Sequence, residues 1–138
     1  MSRKDVYHDL VKQALINEGW HITHDPYIFE TDPELATDLA GERTIGLERD
    51  HQKIAVEIKS FLNSSQVVDL ERALGQYALY QQLLQRQEPD RELYLAVPRY
   101  AYEDIFQREV GQIAIIAFKL KLIVFALSEQ EDLLWKTP

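Results

Sequence analysis

The chain has no cysteine in its 138 residues. Disulfides are thereby excluded, as are zinc and iron–sulfur sites built on thiolates. Long apolar runs are also missing. A run such as residues 113–118 falls far short of the ~20 residues that a membrane helix needs. No apolar stretch follows Met1-Ser2-Arg3-Lys4-Asp5, which argues against an ordinary signal peptide. These absences predict a soluble protein of a reducing, cytoplasmic compartment. Basic residues are scarce: 15 Lys and Arg stand against 23 Asp and Glu, a net charge of −8. Tight nonspecific nucleic-acid binding rests on Lys and Arg neutralising phosphates. A nucleic-acid substrate would therefore need bound cations, a local basic surface or a partner to offset the carboxylates.

What is present suits a folded domain. The composition is 46% hydrophobic, enough for a real core. No repeat, low-complexity tract or linker interrupts the chain, so residues 1–138 read as one domain. A helix is predicted over residues 5–18, with Val6, Leu10, Ala14 and Val11 as its apolar face and Gly19 as its stop. A short strand follows at 20–23, then breaks at Asp25-Pro26 and Asp32-Pro33. An extended piece at 35–39 precedes two predicted strands, 44–48 and 53–60, joined by a polar turn at 49–52. Asn63-Ser64-Ser65 caps a helix predicted over 67–85, and a strand follows at 92–97, stopped by Pro98. A second long helix is predicted over 102–119 and a final buried strand over 122–127, with an edge segment near Trp135. The helix between strands 53–60 and 92–97 implies a parallel βαβ crossover. The fold class is α/β, a mixed sheet covered by helices.

Chemistry concentrates in the strand at 53–60. Ile54, Val56 and Ile58 share one face; Ala55, Glu57 and Lys59 share the other. A carboxylate beside an ammonium on a rigid strand suits phosphodiester hydrolysis. The carboxylate can bind Mg²⁺, a hard cation that prefers oxygen ligands, and the lysine can position water or offset developing charge. One carboxylate rarely suffices, and Asp38, upstream in an apolar setting, is the best second ligand; Glu34 and Glu42 flank it and rank below. Taken alone, Glu57-x-Lys59 reads more readily as a solvated strand face with a weak ion pair, and Asp38 as a structural turn residue. The strand's central place favours chemistry, because charges on a covered face need partners or a metal. Gln76 and Tyr80 share one helical face. Gly75, beside them in mid-helix, suggests close approach of a backbone or ligand. Tyr80 packed on the sheet, a solvated Gln76 and tight helix packing at Gly75 is the structural alternative. His8 and Asp9 on the first helix are further ligand candidates or plain surface residues.

This pattern resembles the PD-(D/E)XK nuclease superfamily. The resemblance implies a restriction-endonuclease-like core with Asp38 as the first acid and Glu57 and Lys59 as the second half of the motif. Gln76-x-x-x-Tyr80 is similar to a signature of the RecB-like and lambda-exonuclease-like branches, and His8 matches the metal-binding histidine of RecB-like members. The implied catalytic set is Asp38, Glu57, Lys59, Gln76 and Tyr80. The implied metal ligands are Asp38, Glu57 and His8, with the backbone carbonyl of Ile58, for Mg²⁺ or Mn²⁺. Thr37 stands where the motif writes proline.

A closer resemblance is to the XisH family, the fdxN-element excision controlling factors of cyanobacteria. It is carried by Tyr7-His8-Asp9, Gly19-Trp20, Thr23-His24-Asp25-Pro26, Asp38-Leu39, the segment from Ile54 through Glu57 and Lys59 to Phe61, Ala73-Leu74-Gly75-Gln76-Tyr77, and the segment from Asp90 to Pro98. The resemblance implies a role in developmentally programmed, heterocyst-type DNA excision. DNA, an XisI-type partner protein and a site-specific recombinase are the implied partners. Two functions are expected to compete: an active Mg²⁺-dependent DNA endonuclease, and a catalytically inactive accessory protein that assists a recombinase through partner binding. The apolar stretch 113–127 supports a weaker third, a self-associating homo-oligomer.

Overall fold

The computed structural model describes residues 2–45, 50–128 and 132–138. The first helix, α1 (Arg3–Asn17), starts at Ser2, whose Oγ accepts from the Asp5 N–H and donates to the Asp5 carboxylate. This reciprocal cap satisfies N–H groups that a helix start leaves open. Gly19 ends the helix in the left-handed region (φ 95), where glycine carries no side-chain penalty. The buried face is Tyr7, Val11 and Leu15, with Leu10 and Ala14 partly buried, whereas Val6 is exposed. The predicted stripe was therefore rotated by one residue.

Two sheets follow. The strands are β1 (His21–His24), β2 (Tyr27–Phe29), β3 (Leu35–Thr37), β4 (Leu39–Ile45) and β5 (Asp50–Ile58). The β2–β3 pair, whose second strand falls within the expected extended piece at 35–39, forms its own small sheet across the Asp32-Pro33 break. β4 and β5 make an antiparallel hairpin in which Glu42 faces Lys53 and Ile45 faces Asp50. Residues 50–52, expected in a turn, thus belong to the strand, and β4 begins at Leu39 rather than at 44. Residues 46–49 lie outside the described chain.

Ser65 caps the long helix α2 (Gln66–Gln87), its Oγ accepting from the Val68 N–H. α2 buries Leu70, Ala73, Tyr77, Tyr80 and Leu84. It carries the chain to β6 (Arg91–Pro98), parallel to β5, so the predicted crossover is present. The expected single helix over 102–119 is instead broken. A short helix α3 (Arg99–Tyr102) and a 3₁₀ turn (Ile105–Gln107) precede α4 (Glu109–Phe118). The turn drives Ile105 and Phe106 into the core, which a straight helix would not do. α4 crosses directly over it: a Cβ on Gly111 would stand 2.0 Å from the Ile105 carbonyl oxygen. β7 (Leu122–Phe125) then pairs parallel with β6, and β8 (Leu134–Lys136) closes the edge antiparallel, near Trp135 as expected.

The main sheet has the order β1-β4-β5-β6-β7-β8. One face packs beneath α1 around Val11, Leu15, Ile54, Val56 and Tyr94. The other packs beneath α2 and α4 around Ala55, Leu70, Tyr77, Leu95 and Phe106. β5 is interior to the sheet and covered on both faces, as its place between a hairpin partner and a crossover helix implied. None of the helices is long and apolar enough to cross a membrane, among the described residues.

Candidate active site

The strand-alternation rule puts Glu57 on the same face as Ala55, beneath α2. Glu57 is 7% exposed. Its Oε2 lies 3.3 Å from Lys59 Nζ, and its Oε1 accepts from the Thr37 hydroxyl at 2.8 Å. Thr37 is itself buried, with the Val56 carbonyl 3.1 Å away. Asp38 sits between β3 and β4 and is brought alongside by the β4–β5 pairing. One of its oxygens accepts from the Ile58 N–H at 2.6 Å. The two acids and the lysine that spacing singled out therefore converge.

The electrostatics are strained. Burial, and then the neighbouring Asp38 charge, push the Glu57 carboxyl up to about 7, against the opposing pull of Lys59 and Thr37. Asp38 is also raised by burial, although the Ile58 N–H, His8 and Lys59 pull it the other way. A buried and a half-buried carboxylate thus share one ammonium, and a proton or a cation must relieve the excess charge.

These groups line a cavity of about 330 Å³ whose walls include Lys4, Tyr7 and His8 from α1 and Asp69 and Arg72 from α2. The cavity lies at the C-terminal end of β5, where parallel strands commonly present ligand sites. Its floor turns at Phe61, a buried residue in the left-handed region (φ 51) whose ring packs 5.5 Å from Phe106. A bulky side chain rarely adopts that backbone, and it costs on the order of 1 kcal/mol or more. Tyr100 donates to the Ser60 carbonyl and holds the loop's edge.

His8 lines the cavity, and Asp9 is outside it. Nε2 of His8 is 2.8 Å from Asp25 Oδ1, and Lys12 binds the other Asp25 oxygen at 2.8 Å. Asp38 and Glu57 supply the hard oxygen donors that suit Mg²⁺, and the surplus negative charge fits such a cation. His8 does not complete the set: among the described residues no three acidic or histidine side chains converge as metal ligands. Tyr80 is buried against Phe29, with ring centroids 5.1 Å apart, and lies close enough to Glu57 and Asp38 for their charge to raise it, after burial. Gln76 is partly buried, and its Oε1 has no hydrogen-bond partner among the described residues. Neither lines the cavity. Gly75 is exposed, and a Cβ there would meet nothing within 4 Å, so it marks no close approach. Glu34 and Glu42 are also outside the cavity. Sequence reasoning missed Thr37 as a Glu57 partner and Asp25 as the anchor of His8. A hydroxyl next to the first acid was the only available signal for the former.

Fold and site together define an α/β protein with a mixed six-stranded sheet and a buried acid–acid–lysine cluster at the end of a central strand. The XisH protein family's sequence profile matches residues 1–133. A crystal structure of an XisH family protein from Nostoc punctiforme shares 38% identity and superposes with a TM-score of 0.82, covering 94% of this chain and 98% of that one. That of an fdxN element excision controlling factor protein from Anabaena variabilis shares 40% identity, with a TM-score of 0.82, 95% of this chain and 98% of that one. A comparison with curated proteins returns no match. The chain belongs to the XisH family.

Proposed function

We propose that this protein is a PD-(D/E)XK-type nuclease-like factor that hydrolyses DNA phosphodiesters during excision of a DNA element. The observation that carries this is the convergence of Asp38, Glu57 and Lys59, with the Glu57 carboxyl pushed up to about 7. Perturbed buried carboxylates in a cavity are the mark of a functional site more than of a structural one. The excision role follows the Anabaena variabilis relative, an fdxN element excision controlling factor. Asp38 and Glu57 would hold Mg²⁺ or Mn²⁺, with the Ile58 carbonyl close by. When bound, such a cation polarises a phosphate oxygen and lowers the pKa of its water. Lys59 Nζ orients that water or offsets charge on the phosphate. Thr37 holds the Glu57 carboxylate in place, and Asp25 holds His8. Tyr80 supports the wall behind the acids. An XisI-type partner and a recombinase acting in the cytoplasm complete the reading.

The test is cleavage of single-stranded, duplex and branched DNA with Mg²⁺ or Mn²⁺. Lys59→Ala should lower the rate by about 100-fold. Cleavage unchanged by that substitution would remove the assignment.

A second reading, an accessory protein that binds a partner without catalysis, draws on α4. Its outer face exposes Val110, Ile113 and Ile116, the last 75% accessible, and exposed apolar patches mark interaction surfaces. A stable complex with an excision component or a second copy, lost on Ile116→Lys and formed by a protein without cleavage, would favour it.

A further inference from the structure

The reading above leaves two neighbouring features unused. The first is a pair of cations. Lys4 stands in the first turn of α1 and Arg72 in the second turn of α2. These helices pack on opposite faces of the sheet, so the two side chains reach the cavity from opposite walls. Neither has a hydrogen bond or ion pair among the described residues. The two acids near them are already engaged: Asp5 with the Ser2 hydroxyl at 2.8 Å, and Asp69 with the Asn63 N–H at 3.0 Å. With Lys59 they set three cations against the four carboxylates that line the cavity.

The second feature is an apolar groove of about 560 Å³ lined by Val6, Leu10, Leu62 and Leu127, with Arg3 at its edge. It adjoins the cavity: Tyr7 and Phe61 line both. Val6 is 42% exposed, Leu62 40% and Leu127 53%, so the groove presents apolar surface to water.

We propose that cavity and groove together seat an unpaired DNA strand. One phosphate lies between Lys4 and Arg72 over the acids, and the base of an adjoining nucleotide lies in the groove beside Tyr7 and Phe61. Two considerations select an unpaired strand over a duplex. Glu57 is 7% exposed at the bottom of a cavity of about 330 Å³, near the lower end of the roughly 300–1,000 Å³ range of small-ligand pockets. A duplex keeps its bases stacked inside, so it offers none to the groove, whereas an unpaired strand does. Second, a chain of net charge −8 gains little from phosphate neutralisation alone. Apolar contact with a base supplies affinity that salt does not screen.

This inference rests on the phosphodiester reading of the acid–lysine set, and a binding measurement separates the two. The experiment is fluorescence anisotropy of the full chain with labelled single-stranded and duplex DNA of one sequence, in Ca²⁺, over a range of salt. The single strand should bind about tenfold more tightly. Lys4→Ala and Arg72→Ala should each weaken it and lower the slope of log affinity against log salt by about 0.7. Lys4→Arg and Arg72→Lys should keep the slope. Val6→Ser with Leu62→Ser should cost about tenfold in single-strand affinity without lowering the slope. Melting temperatures of the variants establish that they fold. Equal or tighter duplex binding, no binding of either form, or affinity indifferent to all four residues would overturn the inference. Single-strand binding without cleavage would uphold it and remove the catalytic reading. Cleavage with duplex preference would do the reverse.

Discussion

β5 carries a charged cluster at each end, and the two are opposites. At its start, Lys53 joins Glu88, Asp90 and Arg91. Arg91 is buried, and four of its five guanidinium N–H groups are used: it donates to both Glu88 oxygens and to the Gly41 and Ile54 carbonyls, and lies 5.2 Å from the Tyr27 ring. Glu88 also accepts from the Tyr27 hydroxyl and pairs with Lys53. The Arg91 hydrogen bond, opposed by burial and aided by Tyr27 and Lys53, lowers its carboxyl to about 2. At the other end, Glu57 and Asp38 share one lysine, and both are raised by burial. The same strand thus bears a satisfied cluster and a frustrated one. A buried charge with all its partners holds the fold together; one left short of partners is poised for a ligand. α2 spans both, from Arg72 near the site to Gln87, which binds Tyr27 and the Ile28 carbonyl.

The sharpest way to break the contrast is Arg91→Met. It leaves Glu88 and two carbonyls without their donor and should destabilise the protein by about 3 kcal/mol, as read by urea unfolding. A negligible loss would mean that the satisfied cluster is not structural. Next is Glu88→Gln. Because the folded carboxyl lies near 2, below the ordinary 4.5, its contribution is present above pH 4.5 and fades as pH falls towards 2. The variant should lose about 2 kcal/mol at pH 7 and show a flatter acid limb.

Glu57→Gln should do the opposite at the frustrated end. A folded value of about 7, above the ordinary 4.5, means that this group favours folding below pH 4.5 and that the benefit is lost as pH rises through 7. In the presence of a chelator the native protein should be less stable at pH 8 than at pH 6. The variant should gain on the order of 1–2 kcal/mol at pH 8 while losing cleavage. Equal stability of the two proteins at pH 8 would deny that the site is frustrated. The smallest effect belongs to α2 between the clusters. Gly75→Ala meets open space and should stabilise by about 0.5–1 kcal/mol without altering cleavage or binding. A drop in either would restore a ligand contact at Gly75.

Much of this was legible beforehand. Alternation in β5 placed Ile54 and Val56 opposite Ala55 and Glu57, because a strand's period of two assigns faces without reference to anything else. The Asn63-Ser64-Ser65 cap and Gly19 marked helix ends by local hydrogen bonding and backbone freedom, whereas the Ser2 cap went unread. The misreadings have non-local causes. The helix over 102–119 is broken because Ile105 and Phe106 turn into the core and Gly111 lets α4 cross them, and no local propensity records that crossing. The α1 face was misassigned by one residue because Val6 and Tyr7 are both apolar, and only the packed sheet decides which is covered.

The parallel crossover, family membership and the choice of Asp38, Glu57 and Lys59 as candidates were read from the sequence alone, because each rests on periodicity, spacing or a run of matched residues. Tertiary structure decided the rest. Thr37 reaches Glu57, and Asp38 meets the Ile58 N–H, only because β4–β5 pairing folds residues twenty apart in sequence together. Likewise, His8 turns to Asp25 and the cavity joins Lys4 to Arg72 only once two helices close on opposite faces of one sheet. Charge balance at a buried site is a sum over neighbours in space. A chain read in order carries the residues of that sum but not the distances that weight it.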